Sequence, residues 1–196
     1  MIKLEDYLEY LPASNEPLSA DVYLIHGSEK TYIVDCGASD EACSLINGIE
    51  NKALIITHFH ADHLGNLSRI EIDDKNLYVG NYTKKYAKRG SEILDSLEIN
   101  DGIKIRISAI PSSHAKGSLA VTINDKWLLL GDSFYCSTKG YNVSLLHDEI
   151  EFIKKEPFEK ALCSHDNTVY TKGKILETLE FFYSKKEKGA AHIYVN

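Results

Sequence analysis

The chain has 196 residues and a mass of 22.0 kDa, a size typical of one domain. Hydrophobic residues make up 43% and charged residues 26% of it, which excludes a collagen-like or disordered chain. The formal net charge of −7 argues against nucleic acid as a partner. No apolar run approaches the roughly 18 residues of a transmembrane helix, and the acidic N-terminus does not resemble a signal peptide. We expect one domain over residues 1–196, in the cytoplasm and away from membranes.

The first half of the chain predicts strands before helices. Residues 1–35 are β-rich, and residues 27–30 have the composition of a hairpin turn between two strands. Apolar spacing predicts a short helix over residues 40–49. The apolar run 53–57 predicts a strand buried on both faces, and another strand is predicted over residues 76–80.

The second half continues the alternation. A basic, largely helical stretch is predicted over residues 82–97, and alternating apolar residues predict a half-buried strand over 103–110. Two further strands meet at Asn124 and Asp125, a pair typical of hairpins. The remaining predictions are a helix containing Val143, Leu146, Ile150 and Ile153, a strand over 160–165, and a C-terminal helix over 175–183. This order indicates two packed sheets with helices outside.

The basic stretch has a second interpretation. Lys84, Lys85, Lys88 and Arg89 alternate with Tyr82 and Tyr86, a composition that could hold a phosphate-bearing substrate. A solvated helix face is the preferred interpretation, because the chain as a whole is acidic.

The cysteines indicate no zinc knuckle and no disulfide framework. Cys36, Cys43, Cys136 and Cys163 form no Cys-x-x-Cys pair, and a chain of this length does not need disulfides. We expect reduced thiols, and we do not expect Cys136 or Cys163 to act as a nucleophile.

A cluster of metal-binding residue types follows the buried strand at residues 53–57. The segment IITHFHADHLGN contains His58, His60, Asp62 and His63. Residues two apart in an extended segment point to the same side, so His58 and His60 can bind one ion. Asp62 and His63 fall where the chain turns into a helix and can face a second ion. Imidazole and carboxylate suit zinc, or manganese or iron.

Three more candidates follow predicted strands further along the chain. They are His114 in PSSHAKGS, Asp132 in LLLGDSF and His165 in CSHDN. Side chains directly after a hydrophobic strand lie where loops gather to build functional sites. The other histidines, His26, His147 and His192, have no such neighbours, and we predict that they lie outside the site.

The motif THFHADHLGN, followed in order by His114, Asp132 and His165 and preceded by Asp35, resembles the metallo-β-lactamase-fold hydrolases. The resemblance extends from the DVYLIHGSEKTYIVDCG hairpin to the final helix. It implies an α+β fold, an αββα sandwich of two mixed sheets with helices on the outer faces.

The resemblance also implies roles for these residues. His58, His60 and His114 match the ligands of a first metal, and Asp62, His63 and His165 match those of a second. Asp132 matches the carboxylate that bridges both, and Asp35 matches a buried residue that supports the metal loop without binding metal. Two divalent ions per chain are therefore implied, with zinc preferred and Mn²⁺ or Fe²⁺ as alternatives.

Two such ions can share a hydroxide that attacks an electrophilic centre, with Asp62 passing a proton to the leaving group. The bridging aspartate is similar to that of glyoxalase II-like thioesterases, acyl-homoserine-lactone lactonases and phosphodiesterases. We therefore predict a hydrolase of a small ester, thioester or lactone. The alternatives are a phosphodiesterase or nuclease of the same fold and a non-catalytic metal-binding sensor or partner protein. The sequence makes no prediction of oligomeric state.

Overall fold

The computed structural model describes residues 1–111, 114–134 and 140–194. Its strands, in chain order, are β1 (Ile2–Glu5), β2 (Leu8–Leu11), β3 (Ser14–Asn15), β4 (Leu18–Ser19), β5 (Val22–His26), β6 (Thr31–Val34), β7 (Lys52–Ile56), β8 (Leu77–Gly80), β9 (Ser91–Ile93), β10 (Ser96–Asn100), β11 (Lys104–Ala109), β12 (Leu119–Ile123), β13 (Trp127–Leu129), β14 (Tyr141–Asn142), β15 (Lys160–Leu162), β16 (Tyr170–Thr171) and β17 (His192–Ile193).

The α-helices are α1 (Asp40–Asn47), α2 (Ala61–Leu64), α3 (Thr83–Ala87), α4 (Val143–Lys155) and α5 (Lys172–Ser184). The hydroxyl of Ser39, the amide oxygen of Asn142 and the hydroxyl of Thr171 accept hydrogen bonds from the first turns of α1, α4 and α5. Such caps satisfy backbone N–H groups that have no partner within the helix. Within the residues described, no helix is both long and apolar enough to cross a membrane.

Two large mixed sheets form the centre of the fold. The first sheet has the strand order β1-β2-β5-β6-β7-β8-β9, and the second has β10-β11-β12-β13-β15-β16. The first is antiparallel as far as β6 and parallel from β6 to β9. The second is antiparallel except where β13 and β15 run parallel.

Buried apolar side chains separate the fold into four layers. One cluster, containing Tyr23 and Ile55 from the first sheet and Ile107 and Val121 from the second, fills the space between the sheets. A second cluster packs the outer face of the first sheet against α1. A third packs the outer face of the second sheet against α4 and α5. The predicted αββα sandwich is therefore confirmed.

Both predicted hairpins are present. β5 pairs antiparallel with β6, and β12 pairs antiparallel with β13. Asn124 and Asp125 have φ values of 51° and 53°. Positive φ at both central residues defines the turn type whose twist matches the flanking strands.

The largely helical stretch predicted over residues 82–97 is wrong. Only α3 is helical, and the rest of the stretch contains β9 and the first two residues of β10. The helix ends because Lys88 adopts a left-handed conformation with φ 57°, and Gly90 follows with φ 93°. β9 then pairs in parallel with β8, so the gain from sheet pairing outweighs the helical periodicity of the segment.

Candidate metal centre

The site is built where strands of both sheets end. Asp35 follows β6 and Thr57 follows β7, and these two strands are parallel neighbours in the first sheet. In the second sheet, Asp132 and His165 each come three residues after the parallel strands β13 and β15. Carboxyl ends of parallel strands meet at one edge of a sheet. The fold therefore brings these segments to one edge of the sandwich.

The first donor group contains His58, His60, His114 and Asp132. One ligand atom from each of the four lies within 4.8 Å of the others. The Nδ1 atom of His60 lies 3.1 Å from Nε2 of His58 and 3.0 Å from Nε2 of His114. Oδ2 of Asp132 lies 3.9 Å and 3.7 Å from the same two Nε2 atoms.

The second donor group contains Asp62, His63, Asp132 and His165, again with ligand atoms within 4.8 Å of one another. Oδ2 of Asp62 lies 2.9 Å from Nε2 of His165 and 3.5 Å from Nε2 of His63. Oδ1 of Asp132 lies 3.1 Å from Nε2 of His63. Asp132 is the one member common to both groups.

The donor atoms suit divalent cations. Among the side-chain atoms of the described residues, His63 Nε2 and Asp132 Oδ1 are buried and, although they lie 3.1 Å apart, neither forms a hydrogen bond. Orphaned polar atoms in a protein interior are costly, and a cation between them would satisfy both. In the first group, Nδ1 of His60 faces two other ring nitrogens, an arrangement that a shared cation would also satisfy. Imidazole nitrogens with carboxylate oxygens are ligands of the kind zinc takes.

Asp35 lies behind the two groups and orients their histidines. It is fully buried, and its carboxylate accepts hydrogen bonds from the backbone N–H and the hydroxyl of Thr57, both at 2.7 Å. The same carboxylate lies 2.7 Å from Nδ1 of His63. Because a carboxylate only accepts, Nδ1 of His63 carries a proton, and its Nε2 is turned toward Asp132.

Thr57 orients His58 in a similar way. Its hydroxyl donates to Asp35, and the hydroxyl oxygen lies 3.1 Å from Nδ1 of His58. The oxygen can then accept a hydrogen bond from Nδ1–H of His58. That tautomer leaves the Nε2 lone pair of His58 directed at the first donor group.

The surroundings shift the pKa values of the two buried histidines in opposite directions. Burial, reinforced by the positive charge of His63, lowers the pKa of His58 to about 2. Burial also opposes a charge on His63, but Asp35 and Asp132 overcome it and raise its pKa to about 10. Burial opposes ionisation of Asp132, yet His63 lowers the pKa of that carboxyl. A cation that binds Nε2 of His63 must therefore displace a proton.

Sequence patterns did not indicate Asp21, which holds the loop that carries His165. The carboxylate of Asp21 accepts hydrogen bonds from the backbone N–H groups of Ala13 and His165, at 2.7 Å and 2.9 Å. It also accepts one from the hydroxyl of Ser164, at 3.3 Å. His165 has φ 62°, a backbone conformation that residues other than glycine rarely adopt. The buried Asp21 stabilises this strained residue, although the two lie 144 positions apart.

Gly131 is a second residue that spacing did not indicate. It has φ 57°, and a Cβ atom there would lie 2.8 Å from the hydroxyl oxygen of Thr57. Only glycine lets the backbone before Asp132 pass this close to Thr57 at the end of β7.

The three histidines that we predicted to lie outside the site belong to neither donor group. His26 pairs with Glu9 at the surface, His147 is exposed on α4, and His192 lies in β17 opposite Asn142. Cys36, Cys43 and Cys163 are free thiols. Cys136 lies outside the described residues.

Cys163 lines a cavity of about 240 Å³ between the second sheet and α5. Ser133 lines the same cavity and directly follows Asp132 in the sequence. Burial raises the pKa of the Cys163 thiol to about 12. Because a thiolate is the reactive form of cysteine, this thiol is not a nucleophile near neutral pH.

The comparison with protein families agrees with the fold. A model described as the metallo-beta-lactamase superfamily matches residues 15–92, the part that contains β5, β6 and the first four candidate ligands. The chain has the metallo-β-lactamase fold. The resemblance inferred from the sequence is thus confirmed at the level of the fold.

Solved structures with the metallo-β-lactamase fold superimpose over most of the chain. A metallo-beta-lactamase superfamily protein from the archaeon Sulfolobus tokodaii is 20% identical, with a TM-score of 0.65 over 98% of this chain and 90% of that one. DIM-1 metallo-beta-lactamase is 14% identical, with a TM-score of 0.68 over 93% and 95%. A variant flavo di-iron protein from Thermotoga maritima is 15% identical, with a TM-score of 0.65 over 84% and 52%. At these identities the similarity establishes the fold alone. No curated protein sequence matches the chain.

Proposed function

We propose that this chain is a hydrolase that uses two divalent metal ions to cleave a small ester, thioester or lactone. The observation that carries the proposal is the pair of four-residue donor groups that share Asp132. Two of the shared site's buried atoms, on His63 and Asp132, have no other partner within the described residues.

The proposed ligands follow from the two groups. His58, His60 and His114 would hold one ion, and Asp62, His63 and His165 would hold the other, with Asp132 contacting both. The predominance of imidazole favours zinc over Mn²⁺ and Fe²⁺. When bound, such ions supply Lewis-acid chemistry: they activate water as a nucleophile and stabilise negative charge on the substrate.

Asp62 is the residue we propose to move the proton. Its carboxylate contacts His165 at 2.9 Å and its side chain is 16% exposed, so it lies at the boundary between the buried donors and solvent. A proton taken up there can be passed to a leaving group that enters from solvent. Asp35 would act only through His63 and Thr57, because its oxygens are already occupied by them.

Two of the four cations of the basic stretch are engaged within the protein, which weakens its support for a phosphodiesterase. The ammonium of Lys84 donates to the backbone oxygen of Gly90, and the guanidinium of Arg89 binds Asp74 and the backbone oxygen of Ile72. These two cations stabilise the protein's own loops and are not available for a phosphodiester. The complete donor groups argue against a non-catalytic sensor, since a protein that has lost catalysis has no need to retain every donor.

A hydrolysis screen tests the proposal. Purified protein supplied with Zn²⁺ would be assayed on an acyl thioester, a lactone and bis-p-nitrophenyl phosphate, before and after treatment with chelator. We expect metal-dependent hydrolysis of the thioester or lactone, lost in Asp132→Asn and retained in the matched surface variant Asp148→Asn. Hydrolysis confined to the phosphodiester, or none of the three, would overturn the proposed substrate class.

A further inference from the structure

Three aromatic residues form a cluster beside the first donor group; we call it the aromatic shelf and define it as Phe59, Tyr82 and Tyr86. The rings of Phe59 and Tyr86 are stacked, with centroids 4.4 Å apart and planes at 10°. Tyr82 lies 5.4 Å from Phe59 and 5.9 Å from Tyr86. The cluster therefore joins α3 to the loop that carries the first donors.

The aromatic shelf adjoins the donor atoms directly. Phe59 stands between His58 and His60 in the chain, and its ring lies edge-on to the His60 ring at 4.9 Å. The His60 ring in turn lies 4.7 Å from that of His114. Phe59 thus connects the first donor group to the two tyrosines of the shelf.

Part of the shelf is open to solvent. Tyr86 is 51% exposed although one face of its ring is covered by Phe59. The exposed area therefore belongs to the opposite face and the edge of the ring. A flat group can stack there, because aromatic rings favour stacked or edge-on neighbours.

The charges around the shelf favour an anion. The ammonium of Lys85 lies 4.5 Å from the Tyr82 ring centroid. Within the described residues, the side chains of Lys85 and Lys88 form no ion pair or hydrogen bond, unlike Lys84 and Arg89.

We propose that the aromatic shelf binds an aryl group of the substrate, and that Lys85 favours an aryl group with an anionic substituent. The inference rests on the proposed function in that it names the substrate class of the same site. Packing of α3 accounts for the contacts of Phe59 with Tyr82 and Tyr86, but it does not account for the exposed ring of Tyr86.

Equilibrium binding of product-like acids tests the shelf without relying on turnover. Titration calorimetry with acetate, phenylacetate and 4-carboxyphenylacetate would use the zinc-loaded protein. We expect phenylacetate to bind about tenfold more tightly than acetate, and Tyr86→Ala to reduce that ratio about fivefold. Tyr86→Phe keeps the ring and should keep the ratio. Lys85→Met should remove only the additional preference for 4-carboxyphenylacetate.

Phe181 and Lys185, at the C-terminal end of α5, provide matched controls. Phe181 is 56% exposed, and the ammonium of Lys185 lies 4.2 Å from its ring centroid. Phe181→Ala and Lys185→Met should change none of the affinities. Equal affinity for acetate and phenylacetate, or an equal loss in Phe181→Ala, would overturn the proposal.

Turnover of acetyl and phenylacetyl thioesters separates this inference from the proposed function. Selective binding of phenylacetate without hydrolysis of either thioester, or of the corresponding esters and a lactone, would contradict the proposed function and leave the shelf assignment standing. Hydrolysis of both at equal kcat/KM, with equal binding of the two acids, would contradict the shelf assignment alone.

Discussion

At the scale of single residues, a substitution of Asp62 can distinguish metal binding from proton transfer. Asp62→Asn keeps the size of the side chain and one ligand oxygen but removes its acid–base function. We expect a large fall in kcat with a smaller change in KM, the pattern of an interaction lost in the transition state. The fall should be smallest for p-nitrophenolate or thiolate leaving groups, which need little protonation, and largest for alkoxides.

Steady-state kinetics on a series of leaving groups, together with metal analysis of the variant, would check this expectation. An equal loss on every leaving group, with metal content unchanged, would make Asp62 a ligand only.

Glu149 is a buried carboxyl outside the metal centre that should control stability. It is 5% exposed on α4, and its side chain forms no hydrogen bond or ion pair within the described residues. Burial raises its pKa from 4.5 to about 8. Between these values the folded state holds a proton that the unfolded state has released, so the free energy of unfolding falls as pH rises.

The substitution Glu149→Gln keeps the side chain neutral. We expect it to stabilise the protein at pH 8 by more than about 1 kcal/mol and to have little effect near pH 4.5. Urea denaturation at both pH values would measure this, with Glu151→Gln, on the exposed face of the same helix, as control. A Glu149→Gln variant with unchanged pH dependence would contradict the assignment.

At the scale of elements, the ends of β6 and β7 determine how the histidines face the metal. Asp35→Asn tolerates the positive φ of 61° at this position but loses the charge that holds His63. Loss of such a supporting hydrogen bond typically costs about 10–100-fold in metal affinity. Zinc affinity measured by competition with a chelator should fall in that range.

Asp101→Asn is the matched control for Asp35. Asp101 also accepts hydrogen bonds from two backbone N–H groups and a tyrosine hydroxyl, but it does so at the distant Ser28–Tyr32 turn. That variant should keep the zinc affinity of the natural protein. Equal losses in both variants would show that Asp35 acts through general stability.

The elements also show which parts of the site the sequence could predict. His58, His60, Asp62 and His63 are close in the chain, and strand-end positions marked His114, Asp132 and His165. The supporting residues could not be found in this way. Asp21 contacts His165 across 144 positions, and Thr57 and Gly131 meet only after the two sheets have packed. The helix predicted beyond Ala87 was wrong because pairing with β8 is a long-range effect.

At the scale of the whole molecule, the metal centre joins the two sheets. His58, His60, Asp62 and His63 follow β7 of the first sheet, whereas His114, Asp132 and His165 follow strands of the second. We propose that residues 1–196 form a single domain, because both sheets share one interior cluster and one site.

Metal removal should therefore weaken the whole sandwich. We expect one cooperative thermal unfolding transition, lowered by chelator and restored by added Zn²⁺, since an ion that binds only the folded state stabilises it. Differential scanning calorimetry would show this. Two separate transitions would contradict a single domain, and a midpoint insensitive to chelator would contradict a metal centre shared by both sheets.

The number of metal ions bound per chain is the most direct test of the proposed dinuclear centre. The protein would be equilibrated with Zn²⁺, freed of excess metal by gel filtration and analysed by inductively coupled plasma mass spectrometry. The two donor groups predict two zinc ions per chain. One zinc ion or none would contradict the proposed dinuclear centre.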